Sequence, residues 1–414
     1  MRICVGLMLK AFKKGHGEAM TAVLTGRDFV VFSDDWGRHP FSCQHIMQHF
    51  LPQNRILWVN TIGMRTPGFN FYDFQRALGK VKSWTKKAQI VTFPDGLHVI
   101  SPVMMPFNHI PAVRRFNRQS VISCVSKAMK DLGMKAPVLL ATVPNAADYV
   151  GHLGESSIIY YCVDDFTVWP GMNLPEMVRD MEERLVAEAD LVVAVSKELC
   201  KSRRCGRGQT RLLTHGVDIE HFLTASHIQP RPISLADIKG LIIGFYGLID
   251  NHLDLGIVQG LVDRHSDWTV VLIGTKRISL GQLEGRSNFR WLPAVPYADL
   301  PKYASAFDVA IIPYVLNQHT HTANPLKFKE YLATGKPVVT TPMAEVLPYA
   351  GQAHLAQAPE DFADAVEASL SETVRVEDRL SCLAGETWKD KAAMLSAWIE
   401  EVSSAGFISR KKLL

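Results

Sequence analysis

Short runs of hydrophobic residues alternate with helical patterns along most of the chain. In the first half, β-branched and apolar runs predict strands at 29–33, 55–60, 89–93, 98–101, 138–142, 158–163, 191–195 and 211–214. The patterns between them predict helices at 41–51, 112–132, 145–153, 174–189 and 197–203. Strands that are apolar throughout and alternate with helices are typical of a parallel sheet covered on both faces.

The pattern stops at a proline-rich segment, 228–234, and then restarts. The second half predicts strands at 241–246, 269–273, 289–292, 309–313 and 338–341, and helices at 253–264, 297–306, 325–334, 359–370 and 388–402. We therefore predict an α/β protein of two Rossmann-like, doubly wound domains with an interdomain cleft. The predicted parts are an N-terminal extension at 1–26, a first domain at 27–230, a second at 231–385, and a C-terminal helix and tail at 386–414.

The composition fits a folded, cytoplasmic protein. The chain has 414 residues, of which 47% are hydrophobic and 21% charged, with a net charge of +4. This excludes a disordered chain and leaves room for two cores. Seven cysteines without CxxC pairs favour reduced thiols. No apolar run reaches the ~20 residues that span a bilayer, and the start lacks a convincing signal-peptide cleavage site.

The helix predicted at 325–334 has an unusual distribution of charge. Asn324 is suited to cap it, Pro325 to be its first residue and Gly335 to end it. Acids are normally favoured near a helix N-terminus, yet the opening turns carry Lys327 and Lys329. Free N–H groups with a nearby lysine favour a phosphate site, although solvated surface lysines are an equal alternative. The helix also follows the carboxyl end of a predicted strand, where ligands bind in such sheets.

Other candidates for chemistry follow predicted strands. Gly244-Phe-Tyr-Gly247 could let a backbone approach a phosphate or could form a simple turn. The acidic pairs Asp34-Asp35 and Asp164-Asp165 are candidates for proton transfer, or for capping the turns that follow. His319 and His321 lack a carboxylate or cysteine partner nearby in the sequence, so we expect no metal site.

The segment 69–87 mixes aromatic residues with lysines and an arginine, and a second basic group occupies 114–118. Such a pattern is typical of a helix on an anionic membrane, or of a solvated helix that packs its aromatic side chains inward. Without a binding motif or a domain-wide basic excess, we expect no nucleic-acid partner.

Five segments of the second half together resemble a known family. They are, in order, Gly244-Phe-Tyr-Gly-Leu-Ile-Asp250, Trp268-Thr-Val-Val-Leu-Ile-Gly274, Val295-Pro-Tyr-Ala-Asp-Leu-Pro301, Phe307-Asp-Val-Ala-Ile-Ile-Pro313 and Asn324-Pro-Leu-Lys-Phe-Lys-Glu-Tyr-Leu-Ala-Thr-Gly-Lys-Pro-Val-Val339. They resemble the donor domain of a GT-B glycosyltransferase of the retaining nucleotide-sugar class (GT4-like). His215-Gly-Val-Asp218, Asp35-Trp36 and Val163-Asp-Asp-Phe166 extend the resemblance to bacterial teichuronic-acid and exopolysaccharide transferases.

The resemblance implies roles for individual residues. Glu330 matches the second acid of the family's Glu-x7-Glu motif, which holds the nucleotide ribose. The first acid is replaced by Thr322, and the basic pair that usually follows the glycine turn is missing from 248–252. Lys327 and the start of its helix are therefore expected to compensate the donor diphosphate. The remaining implied positions are Asn324, Leu326, Gly247 and Gly216 for the donor, Asp35, Trp36 and Gly37 for the acceptor side, and Asp165 with Asp164 for catalysis.

The implied function is transfer of a sugar from a nucleotide-diphosphate sugar to a saccharide. The acceptor is expected to be polyprenyl-linked, with membrane contact through 69–87 at the inner face of the plasma membrane. Neither a cofactor nor a metal is expected, and the stereochemistry implied is retention. Two alternatives stay open: an epimerase of UDP-sugars with the same fold, and a non-catalytic glycan- or nucleotide-binding member of an assembly complex.

Overall fold

The computed structural model describes residues 23–37, 41–61, 90–169, 172–227, 230–372 and 374–411. The chain forms two compact units. We call residues 23–214 with 391–411 the N-terminal unit and residues 215–390 the C-terminal unit.

The N-terminal unit is built on an eight-stranded sheet. Its strands are β1 Asp28–Ser33, β2 Arg55–Asn60, β3 Val91–Thr92, β4 Leu97–Ile100, β5 Val138–Ala141, β6 Ser157–Cys162, β7 Leu191–Ala194 and β8 Gln209–Leu212. Their order is β3-β4-β2-β1-β5-β6-β7-β8, and β3 alone is antiparallel to its neighbour. The central strands are buried on both faces, as apolar runs such as that of β1 predict.

Helices of different lengths connect these strands. They are α1 Ser42–Gln48, α2 Pro111–Leu132, α3 Pro175–Glu188 and α4 Lys197–Ser202, with 3-10 turns at Pro94–Gly96 and Pro144–Asp148. In α2, α3 and the 3-10 turn before Tyr149, proline occupies the first or second helical position, where its missing N–H costs no hydrogen bond.

The C-terminal unit contains a six-stranded parallel sheet. Its strands are β9 Leu241–Tyr246, β10 Trp268–Ile273, β11 Phe289–Leu292, β12 Val309–Ile312, β13 Val338–Thr340 and β14 His354–Leu355. The order is β11-β10-β9-β12-β13-β14. Alternate strand residues enter two apolar cores, so that Tyr246 belongs to one and Phe245 to the other. A sheet covered on both faces by helices results.

The helices of this unit are α5 Ile219–Leu223, α6 Leu255–Arg264, α7 Leu300–Ser305, α8 Gln318–Thr322, α9 Leu326–Thr334, α10 Pro359–Leu370 and α11 Val376–Ser381. The last helix, α12 Trp388–Lys411, begins in this unit and continues in the N-terminal unit. The hydrophobic pattern did not predict α5, α8 and α11. Shorter 3-10 turns lie at Thr224–Ser226, Ile233–Leu235, Gly281–Gly285, Tyr297–Asp299 and Leu347–Gln352. Among the described residues, no helix is both long and apolar enough to cross a bilayer.

The predicted fold class of two doubly wound units agrees with these sheets, but the domain boundaries differ from those expected. The C-terminal unit begins at His215 rather than 231, because α5 packs its apolar residues into the second core. From Lys391 onward, α12 belongs to the N-terminal unit. Within the expected extension, residues 23–26 are part of the fold: Leu24 is buried, and its N–H donates to Ser396 Oγ at 2.7 Å. The rest of that extension lies outside the described residues.

Candidate functional site

The order of the C-terminal sheet reverses between β9 and β12. The chain runs outward from β9 to β11 and then returns to the other side of β9. In open α/β sheets this switch point is where ligands bind, beyond the carboxyl ends of the strands. Gly247 follows β9 and Tyr314 follows β12 at that edge, and α9 begins a few residues later. The candidate site is therefore built from three elements that meet at one place.

Lys327 lies across Gly247. A Cβ atom placed on Gly247 would come within 2.0 Å of Lys327 Cε, and the backbone of Gly247 has a φ of +147° that other residues rarely adopt. Lys327 Nζ donates to the Tyr314 hydroxyl at 3.2 Å. The structure thus brings together two residues that the sequence proposed separately for the donor, and Gly247 provides the space for the lysine.

The surroundings of Lys327 keep it charged. Burial by itself lowers the pKa of this amine, but the phenol of Tyr314 and the carboxyls of Glu330 and Asp250 outweigh burial, so the pKa is raised. A cation held in a half-buried position at a switch point is suited to a di-anionic or tri-anionic ligand.

Glu330 is the acid of the same helix face. It stands three residues after Lys327, and this spacing places both side chains on one side of α9. Its Oε2 accepts a hydrogen bond from the Tyr246 hydroxyl at 3.0 Å. Burial raises the pKa of Glu330 to about 7, and the charge of Lys327 and the Tyr246 hydrogen bond offset only part of that rise. A carboxylate between a phenol and a lysine can accept hydrogen bonds from a pair of hydroxyl groups.

Lys329 does not belong to this site, although it stands beside Lys327 in the opening turns of the helix. It is 3% exposed, donates to the carbonyl oxygen of His215 at 2.6 Å and forms an ion pair with Glu386. Two residues along a helix amount to more than half a turn, so Lys327 and Lys329 point to opposite sides.

The start of α9 also differs from its predicted form. The residue preceding the helix is Pro325, which makes no side-chain cap, and Leu326 is the first helical residue. Asn324, expected as the cap, is buried one residue earlier. Gly335 ends the helix as predicted, with a φ of +75°. Thr322, at the position of the family's first acid, is a buried residue of α8 that donates to the carbonyl oxygen of His319 at 2.9 Å.

Gly216 has a packing role in the structure. A Cβ atom there would lie 2.7 Å from the ring of Trp388, so the glycine allows the indole to rest against the backbone. The next residue, Val217, donates its N–H to the carbonyl oxygen of Glu386 at 2.8 Å. The segment proposed for donor binding is thus fixed to the beginning of α12.

The loop after β9 carries a histidine, His252, that the sequence motifs did not indicate. His252 Nδ1 and Asp250 Oδ1 are 2.7 Å apart, and the ring of His252 packs on that of His319 with centroids at 4.4 Å. His319 therefore meets His252 rather than acting with His321. Within the described ranges, no group of three or more His, Cys, Asp or Glu side chains could hold a metal ion.

The acidic pair of the N-terminal unit follows β6, and its members have different partners. Asp165 is 4% exposed; its Oδ1 accepts from Thr167 N–H at 3.1 Å and pairs with Arg203 at 3.0 Å. Asp164 is half-buried and accepts from Trp169 Nε1 at 2.5 Å. Asp165 therefore holds the turn, and Asp164 is the more accessible carboxylate.

The loop after β1 is fixed through its backbone. Trp36 N–H donates to Asn60 Oδ1 at 3.0 Å, the Asp35 carbonyl oxygen accepts from Gln44 Nε2 at 3.2 Å, and Gly37 has a φ of +78°. The ring of Trp36 contacts that of Trp58 edge-on, with centroids 4.8 Å apart. A carboxylate beside an indole at the edge of a sheet is suited to a polar ligand with an apolar face.

Besides His252, three residues of these sites were missed by sequence reasoning. Tyr246 and Tyr314 hold Glu330 and Lys327, and Arg203 holds Asp165. Both tyrosines stand at the carboxyl ends of predicted strands, a position that could have identified them. Arg203 lies 38 residues after Asp165, and nothing in the local sequence connects the two.

The fold and the switch-point site define the class: the chain has the GT-B fold. Sucrose-phosphate synthase from Thermosynechococcus elongatus superimposes with a TM-score of 0.66 and 13% identity, covering 92% of this chain and 100% of that one. The α,α-trehalose 6-phosphate synthase of Burkholderia multivorans gives 0.65 and 13%, over 94% and 99%. Anabaena Alr3699/HepE, in complex with UDP and glucose, gives 0.60 and 14%, over 91% and 100%.

Sequence comparison gives the nearer relationship. Residues 252–372 match the family model described as "Glycosyl transferases group 1". Over 174 residues the chain is 29% identical to the "Putative teichuronic acid biosynthesis glycosyltransferase TuaH" of Bacillus subtilis (strain 168). That match covers 40% of this chain and 44% of the relative, so it spans less than half of either protein. The predicted resemblance to GT-B glycosyltransferases of cell-envelope biosynthesis is confirmed.

Proposed function

We propose that the protein is a glycosyltransferase of hexosyl type that moves a sugar from a nucleotide-diphosphate sugar to a saccharide. The observation that carries the proposal is Lys327 lying across Gly247 at the switch point, one helical turn from Glu330. Relatives with the same fold support it, since one is described in complex with UDP and glucose. The acceptor we propose is a lipid-linked glycan of polysaccharide or cell-envelope synthesis, in line with the name of the teichuronic acid relative.

In this proposal the donor site stabilises the negative charge that develops on the departing nucleoside diphosphate. Breaking the sugar–phosphate bond leaves a nucleoside diphosphate, whose growing negative charge needs a fixed positive partner. Lys327 is that partner and is already held by Tyr314, so little reorganisation is needed. The carboxylate of Glu330 accepts hydrogen bonds from the ribose hydroxyls. We further propose that Lys327, rather than a metal or another cofactor, supplies the positive charge.

The acceptor side of the proposal rests on the N-terminal unit. Asp164 and the Asp35–Gly37 loop both follow strands at the carboxyl edge of the sheet, where a saccharide would meet carboxylates and indoles. Of the acidic pair, we propose Asp164 for contact with the acceptor and Asp165 for holding its loop through Arg203. Retention of configuration is proposed from the family resemblance, and the cytoplasm as the place of action.

Nucleotide binding tests the proposal directly. In a panel of UDP-, GDP- and dTDP-sugars, we expect one donor at a hundred times its Kd to stabilise the folded state by about 2.7 kcal/mol, measured as a rise in Tm. Lys327→Met should weaken binding of that nucleotide about 10- to 100-fold, whereas Lys302→Met, at an exposed position of α7, should leave it unchanged. If no sugar nucleotide raises the Tm, the proposed function is wrong. Epimerised donor in the absence of acceptor would instead identify an epimerase.

A further inference from the structure

Two loops are joined at the carboxyl edge of the C-terminal sheet. One follows β9 at 247–254 and the other follows β10 at 274–280. Ile249 N–H donates to the Thr275 carbonyl oxygen at 3.0 Å, and Arg277 N–H donates to the Ile249 carbonyl oxygen at 2.8 Å. These bonds form a parallel bridge between Ile249 and Lys276. The loop after β10 is therefore fixed beside the loop that begins at Gly247 of the proposed donor site.

The bridge determines which side chains of the two loops share a face. Paired residues of a parallel ladder point to the same side, and neighbours along the chain point to opposite sides. Ile249 is buried in the core that contains α6, and Lys276 Nζ lies over the ring of Trp291, 4.6 Å from its centroid. Asp250 and Arg277, the next residue of each loop, therefore share the opposite side.

Asp250 lies within electrostatic reach of two cations, Lys327 and Arg277. Its Oδ1 accepts from His252 N–H at 3.1 Å and is 2.7 Å from His252 Nδ1. Burial raises the pKa of Asp250, but these bonds with His252 and the charges of His252 and Arg277 outweigh burial, so the pKa is lowered. Asp250 is therefore ionised and held by His252 rather than by an ion pair with Arg277.

The guanidinium of Arg277 is available to a ligand. The residue is exposed, and among the described residues its side chain forms no ion pair and no hydrogen bond. The neighbouring Lys276 differs, because it pairs with Glu284 as well as covering Trp291. A guanidinium presents its N–H groups in a planar fork that matches the oxygens of a phosphate.

The charges of the proposed donor site call for a second cation. Lys327 stands near two carboxyls, those of Glu330 and Asp250. A diphosphate is di-anionic and gains a further negative charge when the sugar–phosphate bond breaks, so Lys327 alone leaves an excess of negative charge. The basic residues expected within 248–252 are missing, whereas the joined loop after β10 carries Arg277.

We infer that Arg277 binds the diphosphate of the nucleotide from the loop after β10 and, together with Lys327, balances its charge. The inference rests on the proposed function and deepens it, since it names a residue that replaces the missing basic pair. Lys327 meets the diphosphate from the protein side. Arg277 meets it from the solvent side, where its guanidinium donates two parallel hydrogen bonds to phosphate oxygens.

Isothermal titration calorimetry with the full chain tests the inference. The probe is whichever of UDP, GDP and dTDP raises the Tm of the wild type most. Arg277→Gln should weaken binding of this nucleoside diphosphate about tenfold, as expected for a charge-assisted hydrogen bond at an exposed position. Binding of the corresponding free nucleoside should not change, because a nucleoside carries no phosphate.

Lys276→Gln is the matched control, since it removes the same charge from a neighbouring side chain that points to the other face. It should leave the affinity for the nucleoside diphosphate unchanged. Unchanged affinity in Arg277→Gln would overturn the inference and leave the proposed function standing. An equal loss in the control, or an equal loss for the free nucleoside, would also overturn it. If the wild type binds none of the three diphosphates, the proposed function fails and the inference fails with it. The Tm of each variant shows that it is folded.

Discussion

At the scale of single residues, Glu330 links the candidate site to pH. Its pKa is raised to about 7 by burial, so the folded state holds a proton that the unfolded chain releases near 4.5. A raised folded-state pKa contributes stability below the unfolded pKa, and that contribution is lost as pH rises through about 7. Glu330→Gln should therefore be as stable as the wild type at pH 4 and about 1–2 kcal/mol more stable at pH 8, after allowance for solvent screening.

Urea unfolding at both pH values, without nucleotide, measures this difference. Glu400→Gln, at an exposed position of α12, is the matched control. The difference in free energy of unfolding between this variant and the wild type should be the same at both pH values. If Glu330→Gln is less stable than the wild type at pH 8, burial of the carboxylate does not dominate its energetics. If Glu330→Gln is more stable than the wild type but binds the nucleotide more weakly, the carboxylate of Glu330 serves binding at the expense of stability.

Gly247 gives a second prediction at this scale. Gly247→Ala places a Cβ atom 2.0 Å from Lys327 Cε, at a φ that alanine rarely adopts. We expect the lysine to be displaced, nucleotide affinity measured by calorimetry to fall about tenfold, and stability to fall by about 1–3 kcal/mol. Gly285→Ala, where no atom lies within 4 Å of the added Cβ, is the control. Unchanged affinity in Gly247→Ala would separate Lys327 from nucleotide binding.

How far the site follows from sequence depends on the residue. The spacing of three residues between Lys327 and Glu330 predicts that both side chains lie on one face of the helix. The spacing of two residues between Lys327 and Lys329 predicts that these side chains point in opposite directions. The phenols of Tyr246 and Tyr314 are not, because their hydrogen bonds join residues 84 and 13 positions apart. Local patterns carry no information about such contacts.

At the scale of elements, the apolar strands were predictable and the short helices were not. β2, β9 and β11 have the predicted bounds. The apolar runs of β2 and β9 are buried in parallel sheets. β11 is an edge strand in which Trp291 is exposed. α8 is a single turn of Gln, His and Thr, whose order comes from the cap of Asn317 rather than from hydrophobic spacing. β14 has two residues and depends on its pairing with β13.

The buried ion pair between Lys329 of α9 and Glu386 can be tested by replacing the lysine. Breaking a buried ion pair from one side leaves the other charge without compensation, which costs about 3–5 kcal/mol. Lys329→Met should therefore destabilise the protein by about 3 kcal/mol in urea unfolding. Lys201→Met, in the exposed pair with Glu198, should cost less than about 1 kcal/mol.

The double variant Lys329→Met with Glu386→Gln decides whether the pair explains the loss. With neither charge left, part of the stability should return, so the two single losses should not add. Additive losses would mean that Lys329 acts through packing or through its bond to the His215 carbonyl oxygen instead.

At the scale of the whole molecule, the sheet of the C-terminal unit was predictable from sequence, but the boundary of that unit was not. The C-terminal sheet has the order typical of dinucleotide-binding folds, and its strands and switch point were predictable from the alternation of strands and helices. The boundary was not, since the proline-rich segment at 228–234 looks like a linker but follows an element that packs in the C-terminal core. A proline-rich composition indicates a connecting segment. Which unit the residues before that segment belong to depends on the core in which their side chains are buried.

The difference between the expected boundary at 231 and the observed boundary at 215 predicts which fragments of the chain can fold. A fragment starting at 231, the boundary expected from sequence, lacks Val217, Ile219, Phe222 and Leu223, all at most 3% exposed in the second core. Each buried side chain of this kind contributes about 1.5–3 kcal/mol. Their loss removes about 6–12 kcal/mol, comparable to the whole stability of a domain, about 5–15 kcal/mol.

We therefore expect residues 215–390 to unfold cooperatively on heating, followed by circular dichroism, and residues 231–390 to show no cooperative transition. Phe222→Ala with Leu223→Ala in the longer fragment separates lost packing from the effect of a shortened chain. These two changes should lower stability by several kcal/mol, because each leaves a cavity in the core. Equal transitions in the two fragments would place the boundary at the proline-rich segment after all, and α5 would then be an accessory rather than a part of the core.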